Sequence, residues 1–132
     1  MGRLKRYEAW ILQAINDLKW AEDSLKSGHF AQTCFISQQI GEKAIKALAF
    51  FRGNDLVKSH SIFKIAEALH INSEIAVIAK KLDRYYITTR YPDAIPDSGV
   101  PYEYFDISDA EEALQFSKHI LDFVKKELGM IS

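Results

Sequence analysis

The stretch HFAQTCFISQQIGEKAIKALAFFRGN, residues 29–54, decides the fold class. Its apolar residues recur every three or four positions, at Phe30, Cys34, Ile40, Ala44, Leu48 and Phe51. This spacing places them on one face of an α-helix. Gly53 and Asn54 then end the helix, because glycine readily adopts the left-handed backbone that closes a helix. The stretch therefore predicts a long amphipathic helix over residues 29–52.

The same periodicity predicts further helices over residues 4–27, 59–69, 73–90 and 108–129, of which 59–69 is short. Ser108 and Glu111 have the spacing of a capping box at the start of the last helix. All three prolines fall within 91–107, which we expect to be the only long loop. No strand pattern occurs. The sequence predicts an all-α fold, an up-and-down antiparallel four-helix bundle with one additional short helix.

Length and composition are those of one globular domain, so we expect residues 1–132 to form a single unit. No apolar run approaches the roughly 18 residues of a membrane span, and the basic start lacks the apolar core of a signal peptide. The single cysteine, Cys34, excludes an internal disulfide and a cysteine-rich zinc site. We therefore expect a cytoplasmic protein without a membrane partner.

Charge is unevenly distributed along the chain. Residues 1–90 carry 14 Lys+Arg against 9 Asp+Glu, whereas residues 91–132 carry 3 against 9. This pattern fits either one basic and one acidic face or a bundle that intermixes the two charges, and it differs from the uniformly basic surface of a duplex-DNA-binding protein.

Polar residues in the second helix form a strip, because Gln39, Glu42, Lys43 and Lys46 share one face. One interpretation is a solvated face with a Glu42–Lys46 pair worth a few tenths of a kcal/mol. The other is a groove whose lysines meet phosphate. Gly41 favours the groove, since a mid-helix glycine costs about 1 kcal/mol and usually marks the close approach of a backbone or ligand.

The segment YYITTRYPD, residues 85–93, is rich in tyrosine and arginine at an expected helix end. Tyr86 and Arg90 share one face with Asp83, and five of the chain's six tyrosines lie in or shortly after the segment. In a structural interpretation, a tyrosine closes the end of the bundle and Arg90 pairs with Asp93. Alternatively, the segment is a recognition surface for a nucleotide or a partner protein.

Few other residues suggest chemistry. We expect Asp17 to pair with a lysine or arginine, and His60 to be a capping or surface residue. Glu67 and His70 have the spacing of a di-metal carboxylate ligand pair, but a second such motif is absent, so no metal site is predicted. The sequence contains no glycine-rich phosphate loop and no serine nucleophile elbow, hence no self-sufficient catalytic set.

Four segments, in order along the chain, resemble the HEPN domain (higher eukaryotes and prokaryotes nucleotide-binding): GHFAQTCFISQQIGEKAIKALAFFRG, KSHSIFKI, LDRYYITTRYPD and DAEEALQFSKHIL. The resemblance implies a helical bundle that is often homodimeric. It also implies a nucleotide- or substrate-binding role beside a separate minimal nucleotidyltransferase, in many cases within a toxin–antitoxin pair. The only ligand implied is a nucleotide, and no cofactor is expected.

Carried onto this chain, the resemblance identifies nine candidate binding residues: Gln39, Glu42, Lys43, Lys46, His60, Tyr86, Arg90, Tyr91 and Asp93. Their chemistry suggests Lys46 or Arg90 toward phosphate and Tyr86 or Tyr91 under a base. The acidic members would orient the basic groups.

The chain is less similar to the ribonuclease branch of the family. Its ribonucleases use an arginine followed by a histidine, with four to six residues between them. Here Arg52 and His60 are separated by seven residues and a Gly-Asn break, and neither Arg84 nor Arg90 has a histidine at the required distance. We therefore predict a non-catalytic binding module. The alternatives are a HEPN-type ribonuclease toxin with a non-standard Arg/His site and a plain protein-interaction dimer.

Overall fold

The computed structural model describes residues 3–55, 57–96 and 99–131, which form a helical bundle. Its helices are α1 (Arg6–Lys26), α2 (Phe30–Phe51), α3 (Ile62–Ala68), α4 (Ser73–Asp83), α5 (Tyr85–Thr88), α6 (Pro101–Tyr104) and α7 (Ile107–Glu127). Within those three ranges there is no strand, and none of the helices combines the length and apolarity needed to cross a membrane. The prediction of an all-α bundle is confirmed.

The second helix is the centre of the bundle. It packs against each of the other six helices, and apolar residues are buried on most of its sides. The amphipathic pattern predicted one buried face, but the packing covers nearly the whole circumference. Polar residues of α2 that would lie in water on a surface helix are therefore inside the protein and need partners there.

Gly41 allows α3 to approach α2 closely. A Cβ atom at this position would lie 2.7 Å from Cδ1 of Ile62, and 3.4 and 3.5 Å from the Cδ1 atoms of Leu82 and Ile120. The glycine is thus explained by packing of core side chains, not by a ligand or a second backbone. Its use as support for a ligand groove was wrong.

Several helix boundaries differ from the sequence prediction, and the short helix α3 begins at Ile62, three residues later than predicted. The fourth helix was expected to reach Arg90, but α4 ends at Asp83 and a separate turn of helix, α5, follows Arg84. The last helix begins at Ile107, one residue earlier than predicted, and the capping box expected at Ser108 and Glu111 was wrong. Its capping box is formed by Asp106 and Asp109, each accepting a hydrogen bond from the other's backbone amide at 2.9 and 3.0 Å.

The predicted long loop also contains local structure. Pro92–Ala94 forms a 3-10 turn, and Pro101–Tyr104 forms the short helix α6. Proline begins both turns, where its missing amide hydrogen costs nothing and its fixed φ suits a helical start.

Cys34 is buried in the core, and the partly buried Tyr85 packs against that core. Burial raises the pKa of the Cys34 thiol to about 12, with a smaller contribution from the carboxylates of Asp109 and Asp106. Burial likewise raises the pKa of Tyr85, whose ring packs edge-on against Phe105. Tyr85 therefore closes this part of the bundle, as the structural interpretation of the tyrosine segment expected.

The Cys34 pKa predicts a loss of stability at alkaline pH. The unfolded thiol releases its proton from about pH 9, whereas the folded thiol keeps it to about pH 12. Stability due to this group is complete below pH 9 and falls by up to about 1.4 kcal/mol per pH unit above it. Urea unfolding between pH 8 and pH 10 measures the slope. Cys34→Ala should flatten it, and an unchanged slope would contradict the assignment.

Candidate functional site

Glu42 and Lys46 form a buried ion pair on α2. Lys46 Nζ lies 2.9 Å from Glu42 Oε2, and the two residues are only 5% and 4% exposed. The indole of Trp10 on α1 lies 5.5 Å from Nζ, a cation–π distance that favours the buried ammonium. The interpretation of these two residues as a solvated face is therefore wrong.

Lys43 has a different partner, on α1. It forms an ion pair with Asp17, whose other carboxylate oxygen accepts a hydrogen bond from Gln13 Nε2 at 2.8 Å. The expected pairing of Asp17 with a basic residue is confirmed. Lys43 is thus occupied at the α1–α2 interface.

His60 lies beside the buried pair. Its Nδ1 atom is 3.3 Å from Glu42 Oε2, and its ring stacks on Tyr86 with a centroid distance of 5.0 Å and an interplanar angle of 16°. The side chain is 58% exposed, so it is a surface residue as expected. It does not cap the helix, because Ser61 is the N-cap of α3.

Asp83, at the end of α4, holds the segment that carries His60. Its carboxylate accepts hydrogen bonds from the amides of Ile62 and Phe63 at 2.9 and 3.0 Å and from the hydroxyl of Ser61 at 2.8 Å. These donors occupy the start of α3, where a carboxylate is favoured by otherwise unpaired amides. Asp83 therefore fastens α3 to α4.

Gln38 adds a second attachment for the same segment. Its buried side-chain amide donates to the His60 carbonyl at 3.1 Å and lies 3.3 Å from Asp83 Oδ1. Its oxygen accepts from Gln39 Nε2, which is also 3.4 Å from Glu42 Oε1. Sequence reasoning missed Gln38, since nothing in a helical pattern distinguishes a buried glutamine from an exposed one.

Arg90 rests on aromatic rings. Its guanidinium carbon lies 4.5 Å from the ring centroid of Tyr86 and 5.0 Å from those of Tyr91 and Phe35. Its Nε atom donates to the Tyr86 carbonyl at 2.8 Å. The expected ion pair with Asp93 is not among those formed by the described residues, so that part of the structural interpretation was wrong.

The structure thus joins most of the predicted residues into one cluster. We call Glu42, Lys46, His60, Tyr86 and Arg90 the corner site. A cavity of about 280 Å³ opens beside it, lined by Ser59, His60, Ser61, Lys64, Asp83 and Tyr86. Gln39 and Tyr91 border the cluster, whereas Lys43 faces α1. Asp93 lies in the exposed 3-10 turn after Tyr91.

Arg52, which the sequence suggested as the arginine of a non-standard Arg/His site, lies away from the corner site. Arg52 donates to the Leu69 carbonyl at 2.9 Å and pairs with Glu127 at 3.2 Å, so it links α2 to α3 and α7 and takes no part in the corner site.

In the part of the chain that the structure describes, no three His, Cys, Asp or Glu side chains are grouped as metal ligands. A cavity of about 300 Å³ beside His119, between α4 and α7, is separate from this cluster.

Comparison with known proteins identifies the family. The sequence profile of the HEPN domain matches residues 7–128. The chain belongs to the HEPN family. The resemblance inferred from the four sequence segments is confirmed.

Solved HEPN relatives share the fold over nearly their whole length. The protein TT1696 of Thermus thermophilus is 38% identical, with a TM-score of 0.85 over 93% of this chain and 98% of that one. An archaeal HEPN homologue, ST0689, is also 38% identical, with a TM-score of 0.82 over 94% and 98%. An HEPN domain protein of Thermotoga maritima is 27% identical, with a TM-score of 0.72 over 93% and 99%.

One curated relative carries a functional name. A protein of Methanocaldococcus jannaschii named as a candidate toxin is 26% identical over 143 residues, covering 96% of this chain and 93% of the relative.

Removing the Asp83 carboxylate should destabilise the fold. Asp83→Ala leaves two amides at the start of α3 without their acceptor, and we expect a loss of about 2–3 kcal/mol in the free energy of unfolding. Chemical denaturation measures it. Asp23→Ala, an exposed aspartate on α1, is the matched control and should change stability by less than about 0.5 kcal/mol. Equal effects of the two variants would show that the Asp83 carboxylate contributes little to the free energy of unfolding.

Proposed function

We propose that this HEPN chain is a non-catalytic module that binds a nucleotide at the corner site. In this proposal it acts in the cytoplasm as a homodimer beside a separate minimal nucleotidyltransferase, as one member of a toxin–antitoxin pair. The observation that carries the binding proposal is the guanidinium of Arg90, held over aromatic rings of which one, Tyr86, also stacks with His60.

The chemistry of these groups suits a phosphate with an attached base. A guanidinium fork matches phosphate oxygens, and stacking on rings reduces the freedom that Arg90 loses on binding. His60, which stacks on the Tyr86 ring, adds a hydrogen-bonding nitrogen. Tyr91 is 52% exposed, and its ring offers a surface on which a base stacks.

The wider assignment has separate support. The candidate toxin of Methanocaldococcus jannaschii agrees with a toxin–antitoxin role. The nucleotidyltransferase partner and the dimer rest on what is common in the HEPN family.

Calorimetric titration with ATP, GTP and their monophosphates tests nucleotide binding. Arg90→Ala removes the phosphate fork and should weaken binding by about tenfold to a hundredfold, since hydrogen bonds to charged groups contribute about 1.5–3 kcal/mol. Arg84→Ala is the matched control, because Arg84 is an exposed arginine on the same segment outside the corner site. Absence of heat with every nucleotide, for the chain alone and with its partner, would refute binding.

A metal-independent ribonuclease is the second candidate. Twenty-nine residues separate His60 and Arg90 in sequence, yet both contact the ring of Tyr86, and His60 has a carboxylate at Nδ1. A histidine oriented by a carboxylate suits proton transfer, and an arginine suits a phosphate that gains charge. The shared contact with Tyr86 is what supports considering these two distant residues as one site.

Incubation of the protein with labelled single-stranded RNA in the presence of a chelator tests this candidate. If it is correct, RNA is cleaved, and either His60→Ala or Arg90→Ala slows cleavage by at least about a hundredfold. His29→Ala, an exposed histidine before α2, is the control and should keep the wild-type rate. No cleavage by the wild type, or equal rates for wild type and His60→Ala, would exclude the ribonuclease.

A further inference from the structure

Burial of the Glu42–Lys46 pair in the central helix costs hydration free energy. Both residues are almost fully buried, and two charges taken out of water lose more hydration than their attraction commonly returns. Replacement of such a pair by apolar residues is often neutral or stabilising. Stability alone therefore does not explain why α2 carries it.

The contacts of the pair point to His60. Glu42 Oε2 accepts a hydrogen bond from Lys46 Nζ at 2.9 Å and also lies 3.3 Å from His60 Nδ1. Lys46 is in turn placed by the indole of Trp10. One carboxylate oxygen is thus shared between a buried ammonium and an exposed imidazole.

This geometry decides which nitrogen of His60 carries the proton. An ionised carboxylate only accepts hydrogen bonds, so the neutral imidazole must place its hydrogen on Nδ1 to bond with it. The other nitrogen, Nε2, is then an acceptor, on a side chain that is 58% exposed. Free histidine in water prefers the opposite tautomer, with hydrogen on Nε2, so the contact with Glu42 has to reverse that preference.

We propose that the buried Glu42–Lys46 pair is a positioning element for His60. The ammonium compensates the charge of the carboxylate, and the carboxylate holds the imidazole in the Nδ1–H tautomer with Nε2 toward the cavity side. The role of Nε2 as a ligand-facing nitrogen rests on the proposed function. The tautomer itself does not.

Long-range proton–nitrogen NMR spectra of ¹⁵N-labelled protein, recorded at alkaline pH where imidazoles are neutral, measure the tautomer. His60→Ala identifies the His60 signals among the four histidines. We expect the wild type to be mainly Nδ1–H. The double variant Glu42→Leu/Lys46→Met removes both charges of this pair together, so neither is left buried without its partner. It should therefore fold with equal or greater stability, and His60 should become mainly Nε2–H.

The neighbouring ion pair provides the matched control. Asp17→Leu/Lys43→Met removes one acidic and one basic side chain from the same pair of helices, and neither residue contacts His60 in the structure. The His60 tautomer should stay as in the wild type. If the first double variant fails to fold, Glu42→Gln replaces it, because a neutral amide is a weaker acceptor and should lower the Nδ1–H fraction.

The proposal is overturned if wild-type His60 is mainly Nε2–H, or if the Glu42 variant that folds keeps the wild-type tautomer. Nucleotide titration of the same samples separates this inference from the proposed function. Loss of the Nδ1–H tautomer together with about tenfold weaker binding supports both. A tautomer change in a protein whose wild type binds no nucleotide supports the positioning role and refutes the binding role.

Discussion

The carboxylate of Asp83 is the contact on which the geometry of the corner site depends. It accepts hydrogen bonds from the start of α3 although it belongs to the end of α4, so one side chain both caps a helix and joins two helices. His60 immediately precedes Ser61, whose hydroxyl donates to the Asp83 carboxylate, and Tyr86 lies three residues after Asp83. These contacts of Asp83 place the His60 ring against the Tyr86 ring. Arg90 follows four residues after Tyr86.

The central position of α2 places unusual demands on its polar side chains. Two of its lysines are paired with carboxylates, Lys43 with Asp17 on α1 and Lys46 with Glu42 within α2. The first pair joins two helices and is accounted for by packing. The second shares its carboxylate with an exposed histidine, and it connects the interior of the bundle to the surface. Two neighbouring ion pairs of similar composition thus serve different purposes.

The sequence predicted the parts of the fold that depend on local periodicity. The bounds of α1 and α2 were correct to within two residues, because both helices are long and end at glycine. Periodicity does not report how many sides of a helix are covered, so the burial of Glu42 and Lys46 was not foreseen. It also contains no information on contacts between distant segments. His60 and Glu42 are eighteen residues apart, and only tertiary packing brings them together.

Two kinds of segment form the corner site: the central helix α2, which we call its floor, and segments before α3 and in and after α5, which we call its rim. Its floor is α2, whose remaining sides pack against every other helix, so substitutions there disturb the core as well as the site. Its rim consists of residues 57–61, which precede α3, and residues 86–91 in and after α5, and nearly all of these are partly or fully exposed. We expect that HEPN chains with the same floor acquire different ligand preferences through their rims, because only the rim is able to change without repacking the bundle.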